Sequence, residues 1–210
     1  MKTCVLFDLD GTVLDTLQDL TDSVNCSLAH FGYPARTQQE IRSFLGFGAR
    51  QLIASALPEG ADCDPVFDFY TAWYKDHSQI KTRPYPGIPE ALEVLRSRYT
   101  IGVVSNKPDP ATKALIREYF GDLYALGQRE DIPKKPAPDM LYRAMQELGA
   151  ERCVYVGDSE VDIFTAQNAG VPCISVTWGF RDPAFLTASG AQTLCDHAEQ
   201  LPTILETLLK

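Results

Sequence analysis

The sequence predicts an α/β fold: a Rossmann-like parallel sheet core with a helical segment inserted after its first strand. Three observations predict it. Short apolar runs at Thr3–Phe7, Thr100–Val104, Cys153–Val156 and Cys173–Val176 are near-continuous rather than alternating, as strands buried on both faces of a parallel sheet require. From Pro86 onward helical patterns alternate with these runs, the order of βαβ units. Between Thr16 and about Arg83 no strand candidate occurs and several helical ones do. The chain has 210 residues, 45% of them hydrophobic and 22% charged, so a core of ordinary globular size is within reach.

Each element has a local reason. Leu17, Leu20, Val24, Leu28 and Phe31 recur at steps of three and four behind Thr16, which is expected to cap the first helix with Asp19 three residues on. Thr37-Gln-Gln-Glu40 is a capping box that opens a second helix toward Leu45. Ala49–Leu57 and the stretch from Asp64-Pro65 to about Asp76 supply two more. The last carries Phe67, Tyr70, Trp73 and Tyr74 at helical spacing, expected to face a core. The joints fall at Leu14–Thr16 and Lys81–Pro86, which divides the chain into an α/β core (1–15 and 84–210) and a helical unit (16–83). Further on, Gly87–Arg98 repeats Leu92 and Leu95, and Asp109-Pro110 reads as an N-cap leading to Ile116–Tyr119. Pro138–Leu148 closes on Gly149 and Glu160–Ala169 on Gly170, both placed as C′ glycines. Weaker strands are expected near Tyr124–Leu126 and Gln192–Leu194.

Charge narrows the function classes. Nineteen Lys and Arg against 28 Asp and Glu leave a net charge of −9, which argues against nucleic acid or an anionic membrane surface as partner. No apolar run approaches the ~18 residues of a membrane span, and Cys4–Phe7 is too brief for a secretory core. Six cysteines show no CxxC pattern, and three lie in apolar runs. The expectation is a soluble, reduced, cytoplasmic protein whose oligomeric state the sequence leaves open.

Chemistry gathers at strand ends. The first strand runs into Asp8-Leu9-Asp10-Gly11-Thr12, the second long run ends in Ser105-Asn106, and Cys153–Val156 ends in Gly157-Asp158-Ser159 with Asp162 one turn later. Ligands of open α/β sheets bind beyond the carboxyl ends of strands, so these residues are expected to converge with Lys135 on one crevice. Crowded carboxylates cannot all stay ionised without a cation, and oxygen-only ligation with room for water suits Mg²⁺. Lys135, the Ser105 hydroxyl and amides beside Asn106 would then serve an anion with several oxygens. That is the equipment of phosphoryl transfer.

These four segments, Asp8-Leu-Asp-Gly-Thr12, Ser105-Asn106, Lys135-Pro-Ala-Pro138 and Gly157-Asp-Ser-Glu-Val-Asp162, resemble the motifs of the haloacid dehalogenase (HAD) superfamily, in order. Gly11-Thr-Val-Leu-Asp-Thr-Leu-Gln-Asp-Leu20 followed by helices is similar to its phosphoglycolate phosphatase-like branch. The resemblance implies a HAD fold with residues 16–83 as a helical cap and a small phosphorylated metabolite as substrate. It implies that Asp8 is the nucleophile and that Asp10 is the acid and then the base, its carbonyl on the metal. Ser105 and Asn106 would hold the phosphoryl group and Lys135 would neutralise charge. Asp8, Asp10, Asp158 and Asp162 would form the Mg²⁺ set. An acid at position 10 marks a phosphatase rather than a dehalogenase. The alternatives are a sugar phosphomutase resembling β-phosphoglucomutase, to which Thr12 is a poorer match, and a non-catalytic relative that binds a phosphorylated ligand.

Other chemistries fail on spacing. Ser159 lacks a glycine at 161 for a nucleophile elbow, and no cysteine has Arg six positions on. For an anionic substrate tail such as the carboxylate of 2-phosphoglycolate, Arg50 beyond Gly46-Phe-Gly48 is the first candidate and Lys107 the second.

Overall fold

The computed structural model describes residues 2–209. The chain opens with β1 (Thr3–Phe7) and a short β2 (Leu14–Asp15), then passes through four helices: α1 (Leu17–His30), α2 (Gln38–Phe44), α3 (Ala49–Ala56) and α4 (Cys63–His77). It returns through β3 (Arg83–Pro84) and continues as α5 (Ile88–Arg96), β4 (Thr100–Pro108), α6 (Asp109–Phe120), β5 (Tyr124–Gln128) and α7 (Asp139–Leu148). The remainder is β6 (Arg152–Gly157), α8 (Glu160–Ala169), β7 (Cys173–Val176), α9 (Pro183–Ala188), β8 (Leu194–Cys195) and α10 (Leu201–Leu208).

Six strands form one parallel sheet in the order β5-β4-β1-β6-β7-β8. The central place of β1 follows from its composition, since it is apolar on both faces. Val5 and Phe7 join a cluster with Leu92, Leu95, Leu115 and Leu201 on one side. Cys4 and Leu6 join Met140, Leu141, Tyr155 and Ala166 on the other. The period-2 alternation of a strand thus feeds two separate cores from five residues. Chain order reverses around β1: β4 and β5 build outward on one side, β6 to β8 on the other. A crevice opens beyond the carboxyl ends at such a reversal.

The four helices α1 to α4 share a core of their own, including Leu20, Val24, Leu28, Ile41, Ile53, Val66 and Tyr70, with Phe180 contributed from the sheet side. The two joints meet, because β2 and β3 pair antiparallel, Leu14 opposite Pro84 and Asp15 opposite Arg83. Beside them the buried Asp19 carboxylate accepts from the Lys81 N–H, the Thr82 N–H and the Thr82 hydroxyl at 2.8–2.9 Å. No helix among the described residues is long and apolar enough to cross a membrane.

Local details correct three sequence expectations. Thr16 makes no side-chain cap to α1; its hydroxyl donates instead to Asp10 Oδ1 at 2.7 Å, a stronger partner because it is charged. Asp109 is the first residue of α6 rather than its cap, and its carboxylate accepts from the Gly127 N–H and from Lys113. Strand β4 runs on to Pro108, with its register against β5 shifting between Val104 and Pro108. That irregularity re-aims the backbone at Ser105, Asn106 and Lys107. The capping box at Thr37 and Glu40 is present, and Gly149 and Gly170 close α7 and α8 in the left-handed region.

Candidate active site

Asp8 is the first residue past β1, and its position is set by strand pairing that continues beyond the strand: its N–H donates to Val156 O at 2.8 Å. The side chain is only 7% exposed, with Oδ1 taking the Leu9 N–H at 2.7 Å and Lys135 Nζ at 2.9 Å. Lys135 is more buried still. Its ammonium also reaches Asp162 Oδ1 and the Tyr155 hydroxyl, each at 2.8 Å. Its backbone is clamped from β4, where Asn106 Oδ1 accepts the Lys135 N–H and Asn106 Nδ2 donates to Lys135 O. The same Nδ2 donates to Gly46 O at 3.0 Å, a direct tie to the loop between α2 and α3.

Asp158 follows β6. Thr12 donates to its Oδ1 at 3.1 Å and the Phe180 N–H to its Oδ2 at 2.7 Å. Two glycines make room for it. Gly11 holds φ +83°, and a Cβ there or at Gly179 would overlap the Asp158 side chain. Asp162, in the first turn of α8, is fully buried. Its Oδ1 faces Lys135 and Tyr155, and its Oδ2 accepts the Ser159 N–H and hydroxyl. Carboxylate oxygens of Asp8, Asp158 and Asp162 all lie within 4.8 Å of one another.

Three buried carboxylates around one ammonium cannot all be charged comfortably. Burial, reinforced by Asp162 and Asp10 against the pull of Lys135, pushes the Asp8 carboxyl up to about 7. Burial followed by the fields of Asp162 and Asp8 raises Asp158 well above the carboxylate range. Lys135 goes the other way: burial opposes its charge, but Asp162 and Asp8 outweigh it and hold the ammonium above the ordinary lysine value. The surplus of negative charge, carried only by oxygen donors, fits a hard divalent cation.

Asp10 lies on the other side of Asp8. It takes Thr16 on Oδ1 and Lys107 Nζ at 3.0 and 3.1 Å, with the ammonium 4.8 Å above the Tyr74 ring. Ser105 is buried and accepts the Lys107 N–H at 3.2 Å. Asp8, Asp10, Ser105, Asn106, Lys107 and Asp158 line one cavity of about 470 Å³, which extends between the sheet and the helical unit.

Of the nine residues singled out in the sequence, eight meet here. Arg50 does not. It lies on the outer face of α3, ion-paired with Asp64 and stacked over Phe67, because its helix turns Ala49 and Leu52 to the cavity instead. Sequence reasoning missed Tyr155, which reads as one more apolar residue of β6. It also missed Arg181, which pairs with the half-buried Glu160 at 2.8 Å and donates to the Arg42 and Leu45 carbonyls as well. A Glu and an Arg 21 positions apart carry no local signal. Tyr70 and Tyr74 are core residues as expected, yet both also line the cavity.

The chain is similar to known proteins over nearly its whole length. The family model described as haloacid dehalogenase-like hydrolase matches residues 5–176. A phosphoglycolate phosphatase of Agrobacterium fabrum is 33% identical over 100% of this chain and 95% of its own. An N-acetylmuramic acid 6-phosphate phosphatase of Pseudomonas aeruginosa is 31% identical over 98% of this chain and 95% of its own. A crystal structure from Lactobacillus delbrueckii subsp. bulgaricus superposes with a TM-score of 0.88 at 35% identity, covering 97% of each chain.

Proposed function

The chain belongs to the haloacid dehalogenase-like hydrolases, and from that premise we propose a Mg²⁺-dependent phosphomonoester hydrolase that works through an aspartyl-phosphate on Asp8. One observation carries the reading. The Asp8 carboxylate stands at the end of the central strand, 2.9 Å from a buried lysine, inside a cluster with Asp158 at the floor of a cavity.

In this reading an Asp8 oxygen attacks phosphorus as the bond to the substrate alcohol breaks, and Asp10 gives its proton to the departing oxygen. A water then attacks the aspartyl-phosphate. Its proton passes to Asp10, the bond between phosphorus and the Asp8 oxygen breaks, and inorganic phosphate leaves. Lys135 offsets charge between the phosphoryl oxygens and Asp8, while Ser105 and the Asn106 backbone amide hold those oxygens. Lys107 and Thr16 aim the Asp10 carboxylate. Asp8, the Asp10 carbonyl, Asp158 and Asp162, the last directly or through water, would hold the metal, and Asp162 also fixes Lys135. Bound there, the cation neutralises phosphoryl charge. The helical unit, 16–83, serves as a cap over the reacting group and excludes water. A cytoplasmic setting accords with six free cysteines.

The names of the relatives bring 2-phosphoglycolate and a phosphorylated amino sugar onto the panel of substrates. The test is direct. Asp8→Asn is expected to keep the fold and to lower Mg²⁺-supported turnover of p-nitrophenyl phosphate below about 1% of the parent. Activity above that level removes Asp8 as nucleophile, and an isomerised sugar phosphate in place of free phosphate would make the protein a mutase.

A further inference from the structure

The cavity has two chemically different ends. At its floor stand the carboxylates and Lys107. Its walls are mostly apolar, apart from Thr71, Lys75, Asp76, Ser78 and Gln79: Leu20, Leu45, Leu52, Tyr70, Tyr74 and Phe180 are each less than 9% exposed and face the same space. The two tyrosine rings are stacked with centroids 5.3 Å apart. The size, about 470 Å³, lies within the ~300–1,000 Å³ of sites that enclose whole small molecules.

The buried cations of the lining, Arg181 and Lys107, are already engaged with carboxylates. The Arg181 guanidinium spends its nitrogens on Glu160 and on the carbonyls of Arg42 and Leu45. Lys107 is held on Asp10, and Arg50 lies outside the cavity on Asp64. Lys75 lines the mouth, where it is exposed and adjoins Asp76. A carboxylate carried into these walls would be stripped of water without a partner, which strongly disfavours it.

We infer that the alcohol half of the substrate is a neutral, ring-sized apolar or aromatic group that packs against Leu52 and the Tyr70–Tyr74 stack, not a short carboxylate. This rests on the phosphomonoesterase reading and narrows it. One buried methylene in an apolar pocket changes kcat/KM by roughly tenfold or more, so a homologous series reads the walls directly.

The experiment measures kcat/KM with Mg²⁺ for ethyl, butyl and 2-phenylethyl phosphate, whose primary alkoxide leaving groups are matched, and for 2-phosphoglycolate. The expected result is a rise of at least about tenfold from ethyl to 2-phenylethyl phosphate, with 2-phosphoglycolate no better than ethyl phosphate. Leu52→Asp, and Ala111→Asp on the α6 side of the cavity, are each expected to lower the ratio of 2-phenylethyl to ethyl phosphate by about tenfold. That ratio is independent of how much enzyme folds. A flat series with brisk turnover, or 2-phosphoglycolate as the preferred substrate, overturns the inference and leaves the hydrolase reading standing. No phosphate released from any of the four removes the hydrolase reading and this inference with it.

Discussion

Lys135 shows at the scale of one side chain how the site is held. Its ammonium is 1% exposed and is bound by Asp8, Asp162 and Tyr155. Removing one partner of a buried pair leaves charge uncompensated, so Lys135→Met is expected to destabilise the metal-free protein by about 3–5 kcal/mol, read by urea unfolding. A smaller loss, under about 1 kcal/mol, would mean that the carboxylates are already neutral. Asp8 supplies a pH signature. Its carboxyl, pushed to about 7 from 3.8, holds a proton more tightly folded than unfolded. The corresponding stability is complete below pH 3.8 and is lost as pH rises through 7. With chelator present, Tm is expected to fall by several degrees between pH 6 and 8, and Asp8→Asn should flatten that slope. A slope unchanged in Asp8→Asn would assign it to other groups.

Among the elements, two crossings join the sheet to the helical unit that walls the cavity. β2 and β3 form a two-residue ladder, and Asp19 on α1 ties the chain just before β3 through hydrogen bonds to Lys81 and Thr82. Bonds to a buried carboxylate contribute more than neutral ones, roughly 1.5–3 kcal/mol. Asp19→Asn keeps the shape and loses the charge. It is expected to cost about 2 kcal/mol of stability and to lower kcat/KM while the pH profile of turnover keeps its shape. An altered profile would show that Asp19 acts on the chemistry and not only on this crossing. Other ties cross the same gap: Asn106 to Gly46 O, Lys134 to Phe47 O at 2.9 Å, and Arg181 to Leu45 O. All three end on the loop between α2 and α3, which joins Arg42 of α2 and Tyr74 of α4 in touching the sheet's working end.

For the whole molecule, a metal held by the acidic cluster would couple to folding. A cation that binds the folded chain and not the unfolded one stabilises by about 2.7 kcal/mol at a hundredfold excess over Kd. Mg²⁺ is therefore expected to raise Tm by several degrees at pH 8, and Asp158→Asn to abolish most of that gain. Calorimetry reads both. Equal Tm with and without Mg²⁺ would exclude a resident metal in this cluster.

The α/β class, the run of helices after the first strand, the acids at strand ends and the lysine in a loop were all legible in the amino-acid sequence. Each rests on a local property: apolar runs of strand length, caps and C′ glycines, and polar residues directly after a strand. Only the folded chain shows which acid each cation meets. Arg50 and Lys107 read alike in one dimension, yet one turns outward to Asp64 and the other inward to Asp10. It also shows that Thr16 serves Asp10 in place of α1, that Tyr155 braces Lys135, and that two stacked tyrosines wall the cavity. The direction of a side chain on a helix or strand depends on what packs against it from far along the chain. Periodicity carries the face of an element and not its neighbour.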